Sequence, residues 1–200
     1  MLQWYGIGIG GKIMTQEVTI APLIEAQLYQ IWQIGYSQSQ PEWKKWDGPY
    51  FEDYQMYPDF EAFRMSRMYD FHLAHNVWGI FIDQQPIGIV TQHWEDEKTR
   101  WLEIGIVIYD EQYWNGGYGT KALDMWVGQI FKTTINLEHI GLTTWSGNHR
   151  MMRAAEKIGM VKEAQIRKVR YWQGHYWDSV KYGILREEWT LQIEKRQQKS

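Results

Sequence analysis

Tyr113-Trp114-Asn115-Gly116-Gly117-Tyr118-Gly119-Thr120-Lys121-Ala122 is the stretch on which the reading of this chain turns. Upstream of it, Leu102 to Tyr109 is an apolar run that reads as a strand. Downstream, Leu123, Trp126, Val127 and Ile130 fall at i, i+3, i+4 and i+7, the stripe of an amphipathic helix. Strand, glycine turn and helix in that order can cradle a phosphate. Glycines let the backbone approach an anion closely, and the unpaired N–H groups of the first helical turn point at it. Thr120 can add a hydroxyl donor. The spacing suits a tight turn with no ligand equally well, and by itself leaves both open.

A second glycine segment, Gly6-Ile7-Gly8-Ile9-Gly10-Gly11, formally satisfies G-x-G-x-x-G. That motif needs a strand before it and a helix opening at it. Here it runs into Lys12-Ile13-Met14 with no helical pattern, so residues 1–12 read as a flexible leader.

Working outward, Val18 to Ile20 reads as a short opening strand. Ile24, Leu28 and Ile31 mark a first helix ending near Gly35, and a second is expected from Asp59, a good N-cap, to about His75. Between them Gln40 to Pro58 is an aromatic loop. Val77 to Ile82, the turn Asp83 to Pro86, Ile87 to Trp94, and Trp101 to Tyr109 read as an antiparallel meander. After the glycine turn and its helix come a strand at His139 to Thr144, a helix through Met151, Ala154, Ala155 and Ile158 closed by Gly159, and two strands. The strands run from about Val161 to Trp172 and from His175 to Leu185, joined at Gln173-Gly174. The expected architecture is one α/β domain over residues 13–192, followed by a charged tail at 193–200. Its sheet is mixed and mostly antiparallel, with six to seven strands and about four flanking helices.

Composition bounds what such a domain can do. It is 44% hydrophobic and 22% charged, ordinary for a globular protein, and its net charge of −3 argues against coating nucleic acid. The apolar stretches are interrupted well before the roughly 18 residues of a membrane span. The lack of cysteine removes disulfides, thiolate zinc sites and cysteine nucleophiles, and leans toward a cytoplasmic location. Neither nucleic acid nor membrane is expected as a partner. The tryptophan-rich strands are compatible with a homodimer.

The stretch around the glycine turn resembles the GNAT superfamily of acyl-CoA-dependent N-acyltransferases. The family motif is Gln/Arg-x-x-Gly-x-Gly/Ala, and here Gly117 and Gly119 match the glycines while Trp114 stands at the Gln/Arg position. That departure is similar to the ribosomal-protein N-terminal acetyltransferase branch. Glu103-Ile104-Gly105 resembles the strand before the motif in that branch. Asn148 and Ala154 to Met160 resemble the family's fourth helix, and Asp178-Ser179-Val180 with Glu187-Glu188-Trp189 resemble its closing hairpin.

The resemblance implies acetyl-CoA as co-substrate. Ile106, Val107 and Ile108 would pair with the pantetheine arm like an added strand. The amides of Asn115, Gly116, Gly117, Tyr118, Gly119 and Thr120 would hold the pyrophosphate, Trp114 would belong to the cofactor site, and Asn148 would contact the cofactor from the next helix. The alternative for Ile106 and Ile108 is core packing, which is compatible with backbone pairing.

Acetyl transfer to an amine needs a neutral nitrogen about 3 Å from the thioester carbon, oxyanion stabilisation, and a leaving thiolate. An alkyl amine has a pKa near roughly 10, so a base or a desolvating pocket must take a proton. Glu103, at the start of the thioester strand, is the candidate base; otherwise it is a surface carboxylate. The N–H of Val107 or its neighbour is the candidate oxyanion donor. The family's usual acid positions hold Ala155 and Met151, neither with a hydroxyl. Trp43, Trp46, Tyr50 and Phe51, interleaved with carboxylates, are the candidate acceptor contacts, suiting a peptide N-terminus or a small amine such as a polyamine or aminoglycoside. Otherwise they form a hydrophobic lid. No metal is expected: His72, His75 and His93 read as ordinary side chains.

Overall fold

The computed structural model describes residues 17–50 and 54–198. The glycine segment at 6–11 and most of the expected leader lie outside the described residues.

Seven strands form one sheet: β1 (Val18–Pro22), β2 (Val77–Ile82), β3 (Gln85–Asp96), β4 (Trp101–Ile108), β5 (His139–Trp145), β6 (Val161–Trp172) and β7 (His175–Leu185), in the order β1-β2-β3-β4-β5-β7-β6. Neighbours are antiparallel except β4 and β5, which are parallel. The β2–β3 turn is made by Asp83 and Gln84, both with positive φ (49° and 67°), and the β6–β7 turn by Gln173 and Gly174 (49° and 79°). Paired positive φ values suit the right-handed twist of a two-residue hairpin.

Seven α-helices occur among the described residues, against about four expected: α1 (Glu25–Gly35), α2 (Lys44–Asp47), α3 (Phe60–Arg64), α4 (Arg67–His72), α5 (Tyr118–Thr133), α6 (His149–Lys157) and α7 (Arg186–Gln197). The increase has local causes. Asp59 caps as expected, its Oδ1 accepting from Ala62 N at 2.8 Å. The expected single helix to His75 then breaks at Ser66, whose hydroxyl donates to Phe63 O at 2.6 Å and accepts from Met68 N at 3.2 Å. Such side-chain bonds offer the backbone an alternative to continuing the helix. At the other end, Glu187-Glu188-Trp189 belong to helix α7 rather than to the closing hairpin, and the helix takes in most of the expected tail. Glu188 Oε2 accepts from Leu185 N, and Trp189 packs into the core beside Gly128.

The sheet has a core on each face. One is built from Leu123, Trp126, Val127 and Ile130 of α5 with Ile80, Leu102, Ile104 and Ile140 of the sheet. The other joins Leu28 and Ile31 of α1 and Phe63 of α3 to Val77, Ile89 and Tyr109. Along β4, even-numbered residues face the first core, while Val107 and Tyr109 face the second. Arg186 ties the end of α5 to the sheet, donating to the carbonyls of Leu137, Phe131 and Thr134 at 2.8, 3.0 and 2.6 Å.

Candidate active site

The parallel pair β4–β5 is joined only at Leu102↔Ile140 and Glu103↔Gly141. Both strands continue past that point, so they diverge and leave a gap in the sheet. A cleft of about 1380 Å³ runs through it, reaching the glycine turn on one side and the α1–α4 layer on the other. Strand alternation decides which groups face the gap. Tyr109 N donates to Ile87 O on β3 at 2.9 Å, so Val107, two residues earlier, also turns its backbone to β3. The peptide groups facing the gap belong to Ile106 and Ile108. The backbone of Val107 thus faces β3 rather than the gap, while the residue itself lines the cleft.

The glycine turn opens α5 at the edge of the cleft. Gly117 is the N-cap residue, left-handed at φ 81°, and no side chain caps the helix start. Asn115 is also left-handed at φ 63°, which asparagine tolerates better than most residues. A Cβ on Gly117 would meet nothing within 4 Å, so the space before the helix is open. A Cβ on Gly119 would come within 3.3 Å of Ile108 Cδ1, so this glycine lets the helix approach β4. An uncapped, accessible helix N-terminus fits a pyrophosphate. Trp114, Asn115, Gly117, Tyr118, Gly119 and Thr120 line the cleft, with Gly116 packed against the Tyr118 ring.

Three expected contacts have structural partners. Trp114 donates its indole N–H to Ile108 O at 3.0 Å. Asn148 caps α6, accepting from Met151 N at 3.0 Å, and donates to Trp46 O at 2.9 Å; Trp145 Nε1 donates to the same carbonyl. Trp43 is buried, its indole donating to Gly35 O. Trp46 lines the cleft beside the glycine turn, its ring 6.5 Å from that of Trp114. The Arg150 guanidinium sits 4.1 Å from the Trp46 ring and 4.5 Å from the Trp114 ring, bridging helix α2 to the glycine turn. Phe51 and the side chain of Tyr50 lie outside the described residues.

Glu103 is not a surface carboxylate. It is 4% exposed, and Lys181 Nζ on β7 donates to its Oε1 at 2.7 Å and to Thr143 Oγ1 at 3.0 Å. Two residues along β4, Gly105 contributes no side chain. A Cβ there would meet only Thr91 Oγ1, which leaves room between Glu103 and Val107. His93, opposite Glu103 on β3, contacts Glu95 at 3.1 Å, and ligand atoms of His93, Glu95 and Glu103 lie within 4.8 Å of one another. Lys181 already supplies a cation to that carboxylate.

At the far end of the same face is a chain that the sequence reading missed. His72 is wholly buried, with Nδ1 2.6 Å from Met68 O and Nε2 3.0 Å from the Tyr109 hydroxyl; the Tyr109 and Tyr36 hydroxyls are 3.2 Å apart. Burial lowers the His72 pKa to about 4, opposed by the Met68 carbonyl, and raises those of Tyr36 and Tyr109. Asp47 also lines the cleft, and burial raises its pKa against the pull of Lys44. No motif announces these residues; Tyr36 ends a helix and Tyr109 ends a strand. On α6, Ala155 points into the core, and Met151 and Ala154 line the cleft instead.

Comparison with known proteins agrees with this geometry. Residues 18–161 match the model of the acetyltransferase (GNAT) domain. Among curated proteins, the SPbeta prophage-derived uncharacterized N-acetyltransferase YokL of Bacillus subtilis (strain 168) is 28% identical over 109 residues, covering 54% of this chain and 60% of that protein. YdaF of the same organism, provisionally named a ribosomal N-acetyltransferase, is 28% identical over 111 residues, covering 56% and 60%. The matches thus span about three fifths of the length of these relatives. Among solved structures, the spermidine N-acetyltransferase from Vibrio cholerae, in complex with CoA and spermine, superposes with a TM-score of 0.67 at 20% identity over 86% of this chain and 98% of that one. A GNAT-family acetyltransferase from Bacillus anthracis gives the same TM-score, identity and coverage. With more than half of its length under the domain model, and the divergent β4–β5 pair beside an uncapped glycine turn, this chain belongs to the GNAT acetyltransferase family.

Proposed function

We propose that the protein is an acetyl-CoA-dependent N-acetyltransferase that moves an acetyl group directly to a primary amine in a ternary complex. The observation that carries this is the gap between β4 and β5, which opens after Glu103 and leads to the uncapped start of α5. In this reading the first amides of α5 hold the pyrophosphate. The peptide groups of Ile106 and Ile108 pair with the pantetheine arm, and an N–H of that pair faces the developing oxyanion. Glu103 receives the proton shed by the amine, directly or through water, with Lys181 holding the carboxylate in place. No side chain is assigned to the leaving thiolate, which departs to solvent.

The acceptor is a protein N-terminus or a small amine. Asp47, Glu95 and Glu103 share the cleft with Trp43, Tyr54 and Tyr57, a combination of carboxylates and aromatic faces that suits an ammonium group. A polyamine therefore stands as the second reading, alongside the fold shared with a spermidine N-acetyltransferase. Thiol release measured over a panel of peptides, polyamines and aminoglycosides tests both. Tight CoA binding with no turnover of any amine would instead favour an acyl-CoA-binding module, which the lack of a hydroxyl at Met151 and Ala155 also fits.

A further inference from the structure

The Tyr36–Tyr109–His72 chain has a polarity that its inner end dictates. The Met68 carbonyl can only accept, so His72 Nδ1 carries the ring hydrogen. The ring is wholly buried and stays neutral, so Nε2 is an acceptor. The Tyr109 hydroxyl therefore donates to Nε2. With that hydrogen spent, the contact between the two hydroxyls is donated by Tyr36. Tyr36 Oη is left with lone pairs only, in a residue that lines the same cleft as Glu103, Gly105 and Asp47.

We infer that Tyr36, held in this polarity by Tyr109 and His72, accepts a hydrogen bond from an N–H of the acceptor amine and so orients its lone pair toward the thioester carbon. The inference rests on the transfer reading above. The direction of the hydrogen bond matters to the chemistry. A hydroxyl free to rotate can donate to a neutral amine and occupy the lone pair that has to attack; a hydroxyl obliged to accept leaves that pair free. Around it, the Tyr54 ring stacks on Tyr36 at 6.0 Å and the Trp43 ring meets it edge-on at 6.1 Å, offering aromatic faces to an approaching ammonium. In the transfer the N–C bond forms as the C–S bond breaks, and the thiolate leaves with the electron pair. The surplus amine proton goes to Glu103 or to solvent. Tyr36 itself takes no proton, because its own hydrogen stays in the bond to Tyr109. Tyr36 is thus an acceptor-binding residue, and Tyr109 and His72 position it.

The test combines kinetics with histidine ¹⁵N resonances of the full chain. His72 is expected as the Nδ1–H tautomer. Its Nε2 shift should move when spermidine or a peptide with a free N-terminus is added in the presence of CoA, and Tyr36→Phe should abolish that movement. In steady state, Tyr36→Phe is expected to raise the amine KM about tenfold, the scale of one hydrogen bond, with the acetyl-CoA KM unchanged. Tyr109→Phe should lower kcat instead, because it frees the Tyr36 hydrogen. A protonated Nε2, or an Nε2 shift that neither amine moves, overturns the inference whether or not amines are acetylated. An Nε2 that responds to amine in a protein with no turnover removes the transfer reading and leaves Tyr36 as an amine-binding residue.

Discussion

Glu103 on β4 and Lys181 on β7 form an ion pair at 2.7 Å across the intervening strand β5. On β5, Gly141 pairs with Glu103 and Thr143 with Lys181, and a Cβ on Gly141 would come within 3.1 Å of Glu103 Cγ. The missing side chain lets the two strands exchange a charge contact that their separation in the sheet would otherwise prevent. Thr143 takes a second hydrogen of the ammonium at 3.0 Å, so the carboxylate is buried without being isolated. Removing one member of such a pair costs more than the pair itself contributes.

Replacing Glu103 with Gln should therefore have two separable effects. The acetylation rate should fall about 100-fold with an altered pH–rate profile, as expected for loss of a general base. Affinity for CoA should stay within about twofold. A stability loss of about 1–2 kcal/mol should accompany this, read from urea unfolding, because Lys181 loses its charged partner but is partly solvated. An unaltered pH profile would remove Glu103 as the base.

The glycine turn makes a sharper demand. Gly117→Val forces a β-branched residue into φ 81°, and Gly119→Val presses a side chain against Ile108. Left-handed backbone costs a residue with a side chain about 1–3 kcal/mol, and relieving it moves the amides at the start of α5. Calorimetric titration should show CoA affinity reduced at least about tenfold in either variant. Retained affinity would sink the assignment of the cradle.

Arg150 links α2 to the turn through two tryptophan rings. Arg150→Ala should release α2 from the Trp114 side, a loss of about 1 kcal/mol of cation–π attraction. Hydrogen exchange should rise over residues 44–47 while α1 and α5 keep their protection. Unchanged exchange over α2 would show that the Trp46 carbonyl contacts hold it alone.

His72 makes stability fall in acid. Its folded pKa of about 4 lies below the ordinary 6.5, so between these values the unfolded chain binds the proton that the fold refuses. The contribution is complete above pH 6.5 and is lost as pH falls toward 4. The loss reaches about 2 kcal/mol at pH 5 and about 3 kcal/mol in all. Urea unfolding at pH 7 and pH 5 should show this difference in the wild type, and His72→Gln should reduce it. An equal acid loss in both proteins would assign the effect elsewhere.

Much of the fold was legible because its signals are local. The alternating runs of the sheet, the spacing of Leu123, Trp126, Val127 and Ile130, and the caps at Asp59 and Gly159 each act within one turn or one strand. The places where the expectation went astray are those where a neighbour competes. Ser66 broke a helix by bonding to Phe63 and Met68, and the apolar content of residues 185–193 did not reveal that α7 packs Trp189 against Gly128. Within the site, the turn from Asn115 to Thr120 was readable because glycine's freedom at positive φ is a property of the residue. The contact between Trp46 and Asn148 was not, because it joins residues 102 positions apart in the chain.

By itself, then, the sequence determined the order of the strands, a glycine turn opening a helix after a strand, and Glu103 near the head of that strand. Tertiary structure alone decided that β4 and β5 part after Glu103 and Gly141, and that the gap faces Ile106 and Ile108 rather than Val107. It alone brought Lys181 to Glu103 across 78 positions, and Tyr36 and His72 to Tyr109 across 73 and 37. The physical reason is that periodicity specifies which face a residue presents, whereas strand register and layer packing specify what it meets there. Proton positions in a buried chain follow only from those meetings.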